Sequence, residues 1–310
     1  MKKILVTGGA GFIGSHLVKR LVKDGHDVVV TDILLRGNKL DQDILKAVQF
    51  SRTDVRDLDG MRVVAKNCDY IIHLAAILGV DVVADNPVET METECLGTQN
   101  VARVAIENGV EKVVYASTSG VYGHSAIEKS VTENITLDPR TSYAIAKRYN
   151  EIYLAALYEE KDLNSLSLRF FNVYGEKQDT RMVIPRFIEQ AVQHKPITVF
   201  GDGKQTRDFT FIDDTVEAII RLTQKVKGCE IFNIANEEEI TIGELAVEIK
   251  SLTQSDSEII CIKAPQKRYD FEIERRIGSS QKLLNAVGYK PETVITEGLE
   301  RILGTSVKVY

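Results

Sequence analysis

The sequence has few cysteines, and their spacing argues against two common uses of the residue. Its 310 residues include four cysteines, none of them in a CxxC or other recognisable metal-ligand spacing. Scattered single thiols are typical of a reducing compartment and argue against a disulfide framework. The sequence also lacks an apolar run long enough to span a membrane. From these absences we expect a cytoplasmic protein without a bound metal.

An excess of positive charge is absent as well. The sequence has 39 Lys and Arg against 45 Asp and Glu, for a net charge of −6. This balance gives no electrostatic reason to expect binding to nucleic acid or to an anionic membrane. The start, "MKKILVTGGAGFIG", has glycines too early for a signal peptide, so it predicts a first β-strand instead.

Short apolar runs alternate with longer helix-like segments through the first half of the sequence. The predicted strands are residues 3–7, 27–32, 48–52, 68–74, 112–117 and 165–170. Helices are predicted from about Phe12, near Leu58, after Pro87 and around Tyr143, and a loop is predicted after the second strand. Nearly continuous apolar runs are typical of parallel strands buried on both faces. The alternation therefore predicts an α/β fold with a doubly wound parallel sheet.

The pattern becomes less regular after residue 172. Helices are predicted over 182–193 and from Ile242, and a strand near Ile259. The sequence has no Pro- or Ser-rich linker, so we expect a smaller α/β lobe interleaved with the main domain. In this interpretation residues 1–172 form the main domain, 205–226 pack back on it, and 173–310 mainly form the smaller lobe.

A glycine-rich turn follows the first predicted strand. In "VTGGAGFIGSHL", Gly8, Gly11 and Gly14 permit a tight turn, a close approach of backbone N–H groups to a pyrophosphate, and close packing of the next helix. The positive end of that helix favours phosphate. Such a turn alone is a weak signal, because an ordinary β–α loop can have the same residues.

Two acids strengthen the case for a dinucleotide. Asp32 ends the second predicted strand, where a carboxylate can accept both ribose hydroxyls of an adenosine. An acid there disfavours a 2′-phosphate, so we expect NAD rather than NADP. Asp54 is placed to reach the adenine edge, or alternatively to cap the helix near Leu58.

The stretch "YAIAK" places Tyr143 and Lys147 four residues apart. In a helix these two side chains lie on one face, one turn apart. By itself this spacing is more often chance than chemistry.

Several motifs together resemble one family. They are "TGGAGFIGSH", "HLAA", "YASTSGVYG", "SYAIAK", "RFFNVYG", "GDGKQTRDFTFIDD" and "FNIAN". With them the sequence resembles, over nearly its whole length, the extended short-chain dehydrogenases/reductases of the NAD-dependent nucleotide-sugar epimerase/dehydratase type. The resemblance implies a Rossmann fold, bound NAD, a UDP-sugar substrate and a homodimer formed by the helix after Pro87 and the helix of Tyr143.

The resemblance also implies roles for individual residues. Tyr143 would be the base that takes a sugar hydroxyl proton, and Thr118 would orient the hydroxyl. Lys147 would lower the Tyr143 pKa together with the cationic nicotinamide, and it would also hold the nicotinamide ribose. The residues implied in cofactor binding are Gly8, Gly11, Phe12, Ile13, Gly14, Asp32, Asp54, Val55, Leu74, Ala75, Ala76, Tyr143 and Lys147. Those implied in substrate binding are Ser119, Asn172, Val199, Phe200, Arg207 and Arg268, the two arginines for phosphate oxygens.

The residues after Thr118 discriminate among the reactions of the family. Members that remove water typically have Asp and Glu there, and members that remove carbon dioxide have Glu at the second position. Here Ser119 and Gly120 follow, which resembles the 4-epimerases. For uronate-specific relatives, Asn172 and Asp179 are unfavourable, although Arg181 is nearby. We therefore expect a UDP-glucose/UDP-galactose 4-epimerase first and the N-acetyl forms second.

Alternatives remain at this stage. They are a 4,6- or 5,6-dehydratase, a UDP-glucuronate 4-epimerase or decarboxylase, and a non-catalytic NAD-binding sensor. One departure keeps dehydration open: Glu94 stands where the family usually has an Asn near the nicotinamide, and an acid there can move protons.

Overall fold

Seven parallel strands form the central sheet of the protein. The computed structural model describes residues 1–77, 79–126, 130–263 and 275–306. The strands in chain order are β1 (Lys3–Thr7), β2 (Asp27–Thr31), β3 (Gln49–Ser51), β4 (Tyr70–His73), β5 (Lys112–Thr118), β6 (Ser165–Phe170), β7 (Asn172–Tyr174), β8 (Ile197–Phe200), β9 (Thr206–Arg207), β10 (Phe209–Phe211), β11 (Cys229–Ile234), β12 (Ile240–Thr241), β13 (Ile259–Ile262) and β14 (Arg275–Arg276). The central sheet has the order β11-β6-β5-β4-β1-β2-β3, and every pair in it is parallel.

Helices cover both faces of this sheet. They are α1 (Phe12–Lys23), α2 (Gln42–Ala47), α3 (Leu58–Val64), α4 (Val80–Asp85), α5 (Pro87–Met91), α6 (Gly97–Glu107), α7 (Ser142–Lys161), α8 (Val183–Val192), α9 (Ile212–Lys225), α10 (Ile242–Leu252), α11 (Gln281–Val287) and α12 (Ile295–Ser306). A π-helical turn, Glu92–Leu96, joins α5 to α6 without a break, and a 3₁₀ segment, Ser119–Ala126, follows β5. Within the described ranges, no helix combines the length and apolarity needed to cross a membrane.

The alternation of side chains along β1 shows why both faces are covered. Ile4 and Val6 are buried with α1 and α9 on one face, whereas Leu5 is buried with α3 and α6 on the other. A strand buried on both faces has little use for polar side chains, which is why its sequence is a continuous apolar run. The doubly wound fold predicted from the sequence is therefore confirmed.

The strand order reverses between β1 and its two neighbours. β2 lies on one side of β1 and β4 on the other. In open α/β sheets the crevice at the carboxyl ends of such strands is the usual ligand site. The loops that follow β1, β2, β4 and β5 therefore meet at one edge.

Three short sheets form the smaller lobe, with the orders β10-β7, β12-β9-β14 and β13-β8. The chain nevertheless returns to the main domain, because β11 pairs with β6 in the central sheet and α9 packs beside α1. The boundary at residue 172 and the return of 205–226 stay predictions, and this course of the chain is compatible with interleaved lobes.

Local sequence patterns predicted several helix starts correctly, but they did not predict every helix. Helices begin at Phe12, Leu58 and Ile242 as predicted, the last behind a capping box of Thr241 and Glu244. The predicted loop after β2 is wrong in part, since it contains α2. That helix has only six residues, too short to show an apolar period of its own.

Asp208 joins segments that are far apart in the sequence. Its side chain is fully buried and accepts hydrogen bonds from the backbone N–H groups of Asn236 at 2.9 Å, Glu237 at 3.1 Å and Gly278 at 3.2 Å. Its backbone carbonyl accepts a further bond from the Asn172 amide at 2.9 Å. Burial raises the pKa of Asp208 to about 7, although the three N–H donors oppose the rise.

The raised pKa of Asp208 predicts a pH-dependent stability. A carboxyl that binds its proton more tightly in the folded state contributes stability below its unfolded pKa and loses it as pH rises through the folded value. We expect the free energy of unfolding of the wild type, minus that of Asp208→Asn, to fall by about 2 kcal/mol between pH 5 and 7, at up to about 1.4 kcal/mol per pH unit. Urea unfolding at each pH measures the difference.

Asp202→Asn serves as the control, because Asp202 is exposed on the same segment. The difference in free energy of unfolding between the wild type and Asp202→Asn should stay constant between pH 5 and 7. A flat difference for Asp208→Asn as well would show that Asp208 is already ionised at pH 5 in the folded protein.

Candidate active site

The glycine-rich turn lies at the carboxyl end of β1, with its backbone pressed against two neighbours. Gly8 has a φ of +67°, and a Cβ there would lie 2.7 Å from the Ala75 nitrogen. A Cβ on Gly14 would lie 2.3 Å from the Gly8 oxygen. Because neither position has room for a side chain, these two residues must be glycine if the turn, β4 and α1 are to pack as they do.

The first turn of α1 points its N–H groups out of this turn. Gly11 is the N-cap residue and has no side chain with which to cap the helix. The first intrahelical hydrogen bond runs from Ser15 N–H to the Gly11 oxygen. The N–H groups of Phe12, Ile13 and Gly14 precede it, so three donors and the positive helix end are available to an anion.

The segment after β4 lies directly beside the turn. Leu74 N–H donates to the Thr7 oxygen at 3.0 Å, and Ala75 N–H donates to Thr7 Oγ1 at 3.3 Å. Leu74, Ala75 and Ala76 are all half-buried. These bonds place the "HLAA" segment beside Gly8, on the side of the crevice toward β5.

Asp32 lies at the end of β2 and holds the glycine-rich turn. Its Oδ2 accepts from Ala10 N–H at 3.1 Å, and its Oδ1 accepts from Leu34 N–H at 2.8 Å. Each carboxylate oxygen keeps a lone pair for a further donor. Burial is the main cause that raises the Asp32 pKa, against these two bonds.

Asp54 and Val55 follow β3. The Asp54 carboxylate makes an ion pair with Arg56, with 2.7 Å between Oδ2 and Nη2, and this partner lowers its pKa. The alternative that Asp54 caps the helix near Leu58 is wrong, because Asp57 is the N-cap and accepts from Gly60 N–H. Val55 is buried, and its carbonyl accepts from the Asn100 amide at 3.0 Å.

Thr118 and the start of α7 adjoin each other across Gly120. A Cβ on Gly120 would lie 3.3 Å from Thr118 Oγ1 and 3.6 Å from the Ala144 Cβ. Thr118 Oγ1 accepts from Gly120 N–H at 3.1 Å, which leaves its own proton free to be donated. Helix α7 begins at Ser142 behind a Thr141 cap, so Tyr143 stands in its first turn, directly before the Ala144 that adjoins Gly120.

Lys147 lies one turn further along α7 and is buried. Its Nζ is 5.3 Å from the centre of the Tyr143 ring and 4.7 Å from the centre of the Tyr115 ring. The same Nζ is 2.9 Å from Glu94 Oε2, in an ion pair whose side chains are 1% and 0% exposed.

The surroundings of Tyr143 within the chain raise its pKa. Burial, and then the charge of Glu94, raise it well above its ordinary value. The expectation from the sequence joined Lys147 with the cationic nicotinamide, and for the NAD-bound enzyme it stays a prediction. The main physical reason for the rise is burial of the phenol, and the second is that the charge of Glu94 opposes that of the Lys147 ammonium.

The predicted substrate residues lie at the edge of the smaller lobe. Asn172 is half-buried in β7, and Arg207 in β9 donates from Nη1 to the Thr206 carbonyl at 2.7 Å. Phe200 has a half-buried ring with the Arg186 guanidinium 4.6 Å from its centre. Val199 and Ser119 are buried, so the Val199 side chain belongs to the core and only its backbone is available to a nucleobase. Arg268 lies outside the described residues.

Comparison with known proteins agrees with this geometry. The model of the family described as "Epimerase: NAD dependent epimerase/dehydratase family" matches residues 4–235. The chain belongs to the NAD dependent epimerase/dehydratase family. It is an enzyme of that family, and its cofactor is NAD.

The relatives do not agree on one reaction. A UDP-N-acetyl-alpha-D-glucosaminuronate decarboxylase of Bacillus cytotoxicus is 38% identical, over 97% of each chain. A putative UDP-glucose 4-epimerase of Methanocaldococcus jannaschii is 35% identical, again over 97% of each. The solved structure of a Thermotoga maritima UDP-glucose 4-epimerase with UDP-glucose is 30% identical, with a TM-score of 0.92 over 99% of each chain.

In this family enzyme the crevice fits a dinucleotide on its own geometry. Three uncapped N–H groups at the start of α1 suit a pyrophosphate, and Asp32 has lone pairs directed to the same edge. The predicted cofactor residues thus lie around one crevice. Their contacts with NAD stay predictions.

Sequence reasoning missed residues that support this crevice from behind. His73 at the end of β4 is buried, with Nδ1 2.7 Å from Thr7 Oγ1 and Nε2 3.2 Å from Thr98 Oγ1. Burial lowers its pKa to about 3, so the ring is neutral. Its signal was a polar residue within the apolar run "YIIHL", which is informative only when partners on other elements are known.

The position of Asp32 predicts the choice of cofactor. A phosphate at the 2′ position would face the carboxylate, and two unit charges 4 Å apart repel by about 4 kcal/mol at an effective dielectric constant of 20. We expect NADP to bind at least about 10²-fold more weakly than NAD. Titration of both cofactors into the protein freed of its nucleotide measures the ratio.

Asp32→Ser should lower the ratio of the NADP to the NAD dissociation constant to about tenfold or less. The control Asp59→Ser changes an exposed acid of α3 and should leave this ratio unchanged. If the wild type bound both cofactors equally, Asp32 would not lie at the ribose.

Proposed function

We propose that this enzyme is a UDP-sugar 4-epimerase that acts on a neutral hexose, UDP-glucose/UDP-galactose first and the N-acetyl forms second. The observation that carries the proposal is Gly120. It lies against Thr118 and α7, at a position where the family resemblance implies an acid in members that remove water or carbon dioxide, and it has no side chain with which to move a proton. The position therefore supports oxidation and reduction of the sugar and no elimination.

The chain's own residues supply the proton chemistry of such a reaction. Thr118 donates its hydroxyl proton to the oxygen on sugar C4 and fixes its orientation. Tyr143 takes the proton of that hydroxyl as its phenolate and later returns it as the phenol. Bound NAD, held by the glycine-rich turn and Asp32, would supply a hydride acceptor for C4, a hydride donor for the return to the other face, and positive charge near Tyr143. The product is a sugar inverted at C4 with no net redox change.

The UDP moiety would lie along the smaller lobe. The Arg207 guanidinium is a suitable donor for pyrophosphate oxygens. Asn172 is placed to contact the sugar diphosphate, and the half-buried ring of Phe200 is placed to contact the uracil. Asn172 is held in place by the Asp208 carbonyl. The residue that joins distant segments through its carboxylate therefore also positions Asn172.

An ion pair argues against a uronate substrate. The Arg181 guanidinium is held by both oxygens of Asp179, with Nε 2.6 Å from Oδ1, and the pKa of Asp179 is lowered to about 2 by this arginine. An arginine whose charge is already matched attracts a sugar carboxylate weakly. The 38% identity to a decarboxylase of an N-acetylated uronate nevertheless makes decarboxylation the second candidate.

The test is to follow each sugar ring by NMR. The enzyme with NAD is given UDP-glucose, UDP-N-acetylglucosamine and their 6-carboxylate forms in turn. We expect inversion at C4 of a neutral sugar, with C6 intact and no accumulation of NADH. A UDP-pentose would establish the decarboxylase, and a 6-deoxy-4-keto or 5,6-unsaturated sugar would establish a dehydratase.

Two variants assign the base in the same assay. Tyr143→Phe should lower turnover by about 10²–10⁴-fold or more, because a positioned proton acceptor is lost. Tyr158→Phe, further along the same helix, should have normal turnover. Near-normal turnover of Tyr143→Phe would refute its role, and no turnover of any sugar by the wild type would favour an NAD-binding sensor.

We further infer that the enzyme is a homodimer. Two neighbouring helical stretches, α5 to α6 and α7, carry large apolar side chains that are exposed to solvent. These are Val88, Leu96, Ile106, Ile145, Tyr149 and Ile152. Light scattering should give twice the chain mass of 34.6 kDa.

Ile152→Asp should shift the mass toward the monomer, because a charge would be buried in the interface. Val247→Asp changes an exposed valine on α10 and should leave the dimer intact. A monomeric wild type would refute this interface. The location in the cytoplasm stays a prediction, which the four free cysteines support.

A further inference from the structure

The helix that precedes α6 contains an extra residue in one turn. Between α5 and α6, Glu92–Leu96 forms a π-helical turn. Such turns occur mostly singly inside α-helices and frequently at functional sites. Glu94 is in the middle of this turn and is fully buried, so the irregular turn directs an acid into the protein rather than to solvent.

The contacts of Glu94 connect it to both sides of the proposed site. Its Oε2 lies 2.9 Å from Lys147 Nζ, and its Oε1 accepts from Ile77 N–H, next to the "HLAA" segment, at 3.2 Å. Its carbonyl accepts from the Asn150 amide at 3.0 Å and from the Thr98 hydroxyl at 2.7 Å. Lys147 and Asn150 both lie on α7, so the turn is fixed against the helix that carries Tyr143.

The other groups around the pair carry no charge that replaces that of Glu94. His73 on β4 is neutral because burial lowers its pKa to about 3. Burial raises the pKa values of Tyr115 on β5 and Cys95 on the turn itself. Glu151 on α7 is matched by Arg169. Burial raises the pKa of Glu94 itself, whereas the Lys147 ammonium and the Ile77 N–H oppose that rise. Among the described residues, Glu94 is thus the acid that lies against Lys147 and can balance its charge.

We propose that Glu94 is a positioning residue that acts through Lys147: it holds the ammonium and cancels its charge, so that Lys147 alone does not ionise Tyr143. The proposal rests on the proposed role of Tyr143 as the base. Without Glu94, the full charge of Lys147 would act on the phenol one turn away. The positive charge that favours the phenolate then comes chiefly with the cofactor, and the ionisation of Tyr143 depends on occupancy of the site.

The ionisation of Tyr143 can be measured without turnover. The ultraviolet absorbance of tyrosinate is titrated in each NAD-bound protein, and the curve of the matching Tyr143→Phe protein is subtracted. Glu94→Gln should move this titration to lower pH by about one unit or more. The acidic limb of the pH profile of kcat/KM should move in the same direction. Glu92→Gln changes an exposed acid of the same turn and should move neither.

A double variant keeps the test decisive if the single variant folds poorly. Glu94→Gln together with Lys147→Met removes both charges, so the Tyr143 titration should return close to that of the wild type. If only Glu94→Gln fails to fold and the double variant restores folding, the loss itself reports an unpaired buried lysine and supports the pair.

The outcomes separate this proposal from the one on which it rests. Coincident Tyr143 titrations in the wild type and Glu94→Gln would overturn the counterion role. Loss of turnover at every pH with an unchanged titration would also overturn it and would make Glu94 a proton donor. If Tyr143→Phe kept its turnover while Glu94→Gln still shifted the titration, the base assignment would fail and the ion pair would stand.

Discussion

The buried ion pair between Glu151 and Arg169 is the interaction on which the geometry of the site depends. Arg169 on β6 donates from Nε and Nη2 to the two oxygens of Glu151 on α7, each at 2.8 Å. Glu151 Oε1 also accepts from Ser117 Oγ at 2.6 Å, and Ser117 directly precedes Thr118. The pair therefore fixes α7, with Tyr143 and Lys147, relative to the strand that presents Thr118.

Burying these charges is costly, and the structure shows how the cost is offset. Taking an ion out of water costs several kcal/mol unless it is paired and its remaining donors and acceptors are satisfied. Arg169 Nη1 donates to Tyr122 Oη at 3.0 Å, and that hydroxyl donates to Asn233 on β11 at 2.6 Å. Removing one partner would leave the other charge unmatched, which typically costs about 3–5 kcal/mol. Three strands and the helix of the proposed base are thus held in one arrangement.

Features that depend on a local sequence pattern could be predicted from the sequence. Contacts between side chains of distant segments could be predicted far less well. Buried parallel strands are apolar runs, so all six strands predicted in the first half were found within two residues of their ends. The glycine-rich turn and Asp32 could be recognised because their spacing follows from the cofactor's dimensions. The partner of Lys147 could not, because Glu94 reaches it through a π-helical turn that no local period reveals. The same holds for Asp208, whose three donors come from distant segments.

Helix α7 contributes to two buried ion pairs, one turn apart. One stabilises the fold, and the other lies beside the proposed base. Glu151 points to the sheet and is held by Arg169, so its charge is compensated within a rigid core whatever binds in the crevice. Lys147 is matched by Glu94 of the π-helical turn, next to the half-buried Tyr143. A neutral pair beside the phenol does not offset the burial that raises the Tyr143 pKa, and a further positive charge nearby would lower it. If Tyr143 is the base, bound oxidised cofactor would supply that positive charge and favour the phenolate, whereas the uncharged reduced nicotinamide would not. The proton is then favoured on the phenol at the stage when it must be returned to the sugar. An enzyme that oxidises its substrate and reduces it again within one turnover needs both states, and a permanently ionised tyrosine would serve only the first.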